Sequence, residues 1–193
     1  MTTFGARMLF SLALAGLVVL SSSQISLAAE PSVVAVLDMG TVERKASAFA
    51  SARKQAEDFQ SNLIKKKGEE EKRLKALGDE LNKQKTILDA EAFKKKRADF
   101  LKSMQEANGF LQLSQRDVSI SYQTAVNEIR KKLVEVTAKI AEQKGVDIVL
   151  DKGYFLHNAK IVNLTEEVIA QLNKDMPSVK LTDPNSAAKA GKK

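Results

Sequence analysis

No proline interrupts the chain between Ser32 and Met176, and for most of that length apolar residues recur every three or four positions. Proline is the residue a helix interior tolerates least, so so long a stretch without one, carrying that period, leaves long helices as the dominant element. Phe49, Ala56, Phe59, Leu63, Leu74, Leu77, Leu81 and Leu88 keep the spacing on a first arm. Phe93, Phe100, Met104, Leu111, Val118, Tyr122, Ala125, Ile129, Leu133, Val136 and Ile140 keep it on a second. The stripe is narrow, which is the seam of a coiled coil rather than the broad face of a globular helix. From Val118 to Ile140 the repeat approaches 11 residues per three turns, which predicts a weak supercoil. Aromatic residues make up only 5% of the chain and Trp is absent, a composition that again favours rods over a large core.

Two arms need a turn. Leu88-Asp89-Ala90-Glu91-Ala92 supplies it: Asp89 caps a new helix, and Glu91 lies in its first turn, where the helix dipole favours an acid. Each arm then has roughly 45 to 55 residues, or about 65 to 80 Å of helix. One uninterrupted helix is the alternative, but its stripe would need another chain to cover it. Lys65-Lys66-Lys67 followed by Glu69-Glu70-Glu71 sets opposite charges four apart, which supports a helix by a few tenths of a kcal/mol per pair. Gly68 costs about 1 kcal/mol against alanine. With the turn near residues 88–90, Gly68 is level with Gly109 on the returning arm. Two glycines at one height predict a hinge within exposed, bendable helices.

The ends of the chain read differently. Val33-Val34-Ala35-Val36-Leu37 is a β-branched run closed by Asp38-Met39-Gly40, a buried strand after which Thr41 can cap a helix beginning at Val42. Gly145 ends the second arm. Val146 to Asp151 is another apolar strand, Lys152-Gly153 a turn, and Tyr154-Phe155-Leu156 and Ile161-Val162-Asn163 two further short strands. Thr165 caps a last helix reaching about Asn173, with Glu166 and Glu167 in its first turn and Leu164 and Ile169 at staple positions. Beyond Pro177 the polar run reads as a flexible tail. The expected organisation is α+β: body strand and helix start over 29–45, helical hairpin over 46–144, body strands and terminal helix over 145–176, and tail over 177–193. Four short strands and two short helix ends make too small a core for one chain. The strands of several chains are therefore expected to combine, with Val34, Val36, Ile148 and Leu150 in the shared body and the hairpins projecting outward.

Residues 1–28 stand apart from this scheme. Arg7 gives a positive start, Met8 to Leu20 an apolar stretch, and Ser26-Leu27-Ala28 the small residues a signal peptidase reads. Thirteen apolar residues fall short of the ~20 that cross a bilayer as a helix, so a cleaved export signal, rather than a retained membrane anchor, is the expectation. The mature chain is then expected to be soluble. Between Arg53 and Lys144 there are 21 Lys and Arg against 15 Asp and Glu, and the flanking segments are close to neutral. The positive excess belongs to the hairpin, which points to acidic partners.

The chain has no Cys and a single His, His157. A disulfide framework, a thiolate metal site and a Cys nucleophile are excluded, and His157 has no partner for a triad or a metal site. Asp38, Asp147 and Asp151 each sit at the start or end of a strand, where Asp serves turns. No cofactor or metal is expected and no catalytic constellation appears, so an enzyme is not the reading.

The flanking motifs resemble those of the Skp/OmpH family of periplasmic chaperones: V-V-A-V-L-D-M-G-T-V at 33–42, K-G-V-D-I-V-L-D-K-G-Y-F-L-H-N at 144–158 and V-N-L-T-E-E-V-I-A-Q-L-N at 162–173, on either side of a long charged hairpin. The resemblance implies a jellyfish-like homotrimer, with a small β-barrel body built from three chains and three hairpins enclosing a cavity. It implies a periplasmic holdase that keeps unfolded outer-membrane β-barrel proteins from aggregating without ATP. It brings no catalytic residues with it.

Lys65, Lys66 and Lys67, with Lys94, Lys95, Lys96 and Arg97, are the candidate cavity-lining cations. One reading has them bind acidic clients, anionic lipid or lipopolysaccharide phosphates; the other has them only solubilise the hairpins. Phe110 and Leu113 lie off the main stripe, available either for apolar client contact or for packing. Two other functions compete. A coiled-coil spacer of the cell envelope fits the same helices. Non-specific nucleic-acid binding fits the basic runs, against which stand the export signal, the interleaved acids and the lack of stacking aromatics on the basic face.

Overall fold

A computed structural model describes residues 31–155 and 161–183. Strand β1 (Val34–Leu37) leads into a short helix α1 (Met39–Lys45), then α2 (Ser47–Gln84), α3 (Ala90–Gln143), β2 (Ile148–Asp151), a 3-10 turn at Lys152–Tyr154, β3 (Val162–Asn163) and α4 (Thr165–Asp175). The α+β reading and the long hairpin stand. The expected start of the first helix is corrected. Asp38, not Thr41, is the cap: its carboxylate accepts from the Thr41 backbone N–H at 2.8 Å, so the helix begins at Met39. Asp38 precedes the first helical residue, so its carboxylate reaches forward to the N–H of the third, whereas Thr41 already lies inside the helix.

One break falls where neither Gly nor Pro announces it. Ala46 is extended (φ −70°, ψ 132°), fully buried, and separates α1 from α2. Its own side chain cannot cap. Asn173, on α4, does so across the fold, its Oδ1 accepting from the Ser47 N–H at 2.7 Å and the Ser47 hydroxyl at 3.0 Å.

At the far end of the hairpin Asp89 caps α3 as the sequence predicts, its carboxylate accepting from the Ala92 N–H at 2.8 Å with Glu91 in the first turn. At the near end Gly145 adopts φ 63°, where a Cβ would be strained. Its N–H donates to the Glu142 carbonyl, and the Val146 N–H reaches Ala141, the bond pattern of a Schellman stop.

The strands form a parallel sheet in the order β2-β1-β3, with Val34 opposite Ile148, Val36 opposite Leu150 and Ala35 opposite Val162. It is open, with β2 and β3 as its edges among the described residues. The expected strand at Tyr154-Phe155-Leu156 is corrected: Asp151 accepts from the Gly153 N–H and turns Lys152–Tyr154 into a 3-10 helix, and Leu156 lies outside the described residues. Thr165 opens α4 but does not cap it; Asn163 does that work, accepting from both the backbone and the hydroxyl of Thr165. Residues 1–28, His157 and the end of the tail from 184 also lie outside the described residues.

The core sits at the hairpin base. Ala35, Leu37 and Val42 meet Ala48, Phe49 and Ala52 of α2, Ile129, Leu133 and Val136 of α3, and Val168 and Leu172 of α4. The expectation of a core too small for one chain counted the strands and two short helix ends; the helices supply most of this cluster, with the base of the long α3 contributing a large share. The tail also begins later than Pro177, since Val179 and Leu181 are buried in this same cluster.

Candidate functional site

The hairpin changes character along its length. In α2 the last fully buried residue is Ala52, and in α3 the first is Ala107, so no side chain from 53 to 106 is fully buried. The stripe residues Phe59, Leu63, Leu74, Leu81, Leu88, Phe93 and Phe100 are only half-buried, as expected of two helices with no third neighbour. Leu77 and Met104, read from the sequence as part of the seam, are 40% and 37% exposed. Near them a cavity of about 230 Å³ opens between Leu77, Leu81 and Phe100.

Ion pairs show the same division. Those joining different elements lie at the base: Lys45–Glu166, Arg130–Glu43, Lys132–Asp175, Lys144–Glu167 and Lys152–Asp38. Along the arms the pairs stay within one helix, as in Lys67–Glu71, Arg73–Glu70, Lys94–Glu91 and Lys102–Glu106. Pairs of that kind contribute a few tenths of a kcal/mol and do not fix one arm against the other. The arms are tied laterally by lighter contacts. The Lys66 ammonium stands 5.3 Å from the centre of the Phe110 ring, and Lys96 Nζ donates to Gln84 Oε1 at 2.5 Å.

These contacts place the predicted residues. Lys66 and Phe110 meet, which puts Gly68 and Gly109 at one height; both lie within unbroken helix. Leu113 is 55% exposed and does not pack in the seam. Lys65, Lys67, Lys94, Lys95, Lys96 and Arg97 are exposed. The turn also brings Lys83 of α2 and Lys85, just past its end, to the same end as the 94–97 run. Residues 81–98 thus hold six Lys and Arg against Asp89 and Glu91, and Asp89 is engaged as a cap. Sequence reasoning missed this tip cluster, because its two halves join only once the hairpin closes. It also missed the exposed Ile64, Leu101, Ile120 and Val134. Leu113, Ile120 and Val134 recur at multiples of seven, a second apolar line that could have been read.

Val34, Val36, Ile148 and Leu150 share one face of the sheet by their pairing. Ile148 and Leu150 are 44% and 41% exposed, Val34 is half-buried and Val36 is buried. Beside them a groove of about 530 Å³ runs between α3 and β2, lined by Leu37, Met39, Val134, Ala138 and Leu150 among others. The Thr137 hydroxyl, on the same groove, is buried without a hydrogen-bond partner.

The three aspartates serve the backbone. Asp38 and Asp151 cap, and Asp147 accepts from the Val33 N–H at 2.7 Å. The bonds from Thr41, its backbone N–H first, hold the Asp38 carboxyl below the usual carboxylate range. Among the described residues no helix is long and apolar enough to cross a membrane.

Residues 33–172 match the family described as outer membrane protein (OmpH-like). No curated protein matches the sequence. The fold is similar to that of a crystal structure from Caulobacter crescentus CB15 titled as a candidate OmpH-like outer membrane chaperone, with a TM-score of 0.72 at 14% identity over 79% of this chain and 90% of that one.

Proposed function

Since the chain belongs to the OmpH-like family, on a match spanning residues 33–172, we propose that it is an ATP-independent periplasmic holdase that keeps unfolded outer-membrane β-barrel proteins from aggregating. The family is one of chaperones rather than enzymes, and the fold neighbour's title supports the same role. The observation that carries the reading is the outer hairpin, residues 53 to 106, which buries no side chain fully and leaves Ile64, Leu77 and Leu101 in water. A surface of scattered apolar residues among exposed cations makes many weak contacts and fixes no client conformation. The tip cations speed encounter with acidic segments and offer a site for lipid or lipopolysaccharide phosphates.

The working form is a homotrimer whose body closes the open sheet. Two features support it: β2 and β3 stand at the edges of the sheet among the described residues, and the apolar face of Val34, Ile148 and Leu150 lies beside the groove along α3. An exposed sheet edge is a liability unless it is paired or covered. The first 28 residues act as the cleaved export signal. The test dilutes a urea-unfolded porin into buffer containing the protein from Ala29 onward, without nucleotide, and follows light scattering. Suppression at a few chains per porin is expected; scattering that rises as in buffer alone overturns the reading and favours an envelope spacer.

A further inference from the structure

After α4 the chain turns back across the hairpin base. Val179 and Leu181 are 9% and 2% exposed, while Lys180 and Thr182 face water. That alternation is a strand's, yet its backbone is held by side chains. The Gln55 amide Nε2 donates to the Val179 carbonyl at 2.6 Å, and its Oε1 accepts from the Leu181 N–H at 3.1 Å. One side chain thus supplies both bonds that a neighbouring strand residue would supply. Ser51, one turn earlier on α2, holds the amide in place through its carbonyl and hydroxyl oxygens, at 3.2 and 3.0 Å. From α3, Ser121 accepts from the Thr182 N–H at 2.6 Å and is itself only 8% exposed.

None of these bonds reads a particular side chain. They recognise extended backbone, and the two apolar sockets require only that every second residue be apolar. We infer that the base of the hairpin is a binding site for an extended peptide segment with alternating apolar side chains, occupied in this structure by the chain's own tail. The tail lies beyond residues 33–172 that match the family, while Ser51, Gln55 and Ser121, which hold it, lie within them. The source of the competing segment rests on the proposed holdase function, because the strands of an unfolded outer-membrane β-barrel carry this alternation. The tail competes at the millimolar effective concentration of a short tether. A client already held along the arms is concentrated in the same way, so the two can exchange.

The test measures fluorescence anisotropy of a labelled peptide, Pro-Ser-Val-Lys-Leu-Thr-Asp, mixed with the protein or its variants. Val179→Ser with Leu181→Ser empties the sockets in the full chain, and binding is expected to tighten at least about tenfold, the gain from removing an occupant present nine parts in ten. Adding Gln55→Ala should abolish the gain, and a peptide with Val and Leu adjacent should not bind. Equal binding by the wild type and the double variant, or equal binding of the rearranged peptide, overturns the proposal. If circular dichroism shows the double variant unfolded, Thr182→Pro, which removes the N–H that Ser121 accepts from and leaves Val179 and Leu181 unchanged, carries the same comparison. Porin scattering run in parallel separates the two readings: its failure in every protein sinks the holdase, while the anisotropy still decides the site.

Discussion

Gly68 and Gly109 sit in open space, where an added methyl group meets no atom within 4 Å. Gly78 differs, since a Cβ there would touch the Phe100 ring at 3.5 Å. Gly68→Ala and Gly109→Ala should therefore each stabilise the hairpin, by about 1 kcal/mol, and slow amide exchange over residues 66–70 and 107–111. Exchange already as slow there as at the base would remove the hinge. Asp38 carries a second prediction. Its folded pKa is depressed, so its contribution to stability is complete above the unfolded carboxyl's range and is lost as pH falls through the folded value. Thermal melts from about pH 5 down to pH 2 should fall less steeply for Asp38→Asn, which keeps a capping oxygen but cannot titrate there. At the start of the first helix sequence reading gave Thr41 the wrong role: it is the donor to the cap, because two polar residues three apart can exchange those parts on paper.

The helices were legible because each announces itself over many residues. The Asp89 cap, the run of α3 and its stop at Gly145 follow from periodicity and end signals. Gly145→Ala should cost about 1 to 2 kcal/mol, the strain of a left-handed residue with a Cβ, read as a lower melting temperature with unchanged helix content. What stayed hidden depended on distant partners. The Ala46 break is capped by Asn173, 126 positions from Ser47. The tail looked polar because only Val179 and Leu181 mark it, and their sockets exist only once α2 and α3 lie together. Tyr154 and Phe155 have strand propensity, but the Asp151 cap redirects them.

For the whole molecule, self-association and charge give the checks. On the proposed shared body, Ile148→Lys with Leu150→Lys should yield monomers by light scattering coupled to size exclusion, with helix content retained, since neither residue belongs to the buried cluster. A monomeric wild type would end the shared-body reading. Changing Lys94, Lys95, Lys96 and Arg97 to Gln should slow porin capture several-fold at low salt, with the difference fading as salt rises. Equal rates at low salt would leave those cations as solubilising groups. The sequence could not separate these readings, because it shows how much charge the arms carry but not which charges meet.

The parallel sheet has one more consequence, in time rather than space. β1 is among the first segments of the body to be synthesised, and both of its neighbours come after the whole hairpin; Val33 and Asp147, bonded to each other, are 114 positions apart. Closing so long a loop as free chain is entropically costly and slow. Once the arms zip inward from Asp89, the ends of that loop are delivered to each other, and little closure remains to be done. This topology favours assembly from the tip to the base, with the part of the molecule that is least buried when folded forming ahead of the sheet.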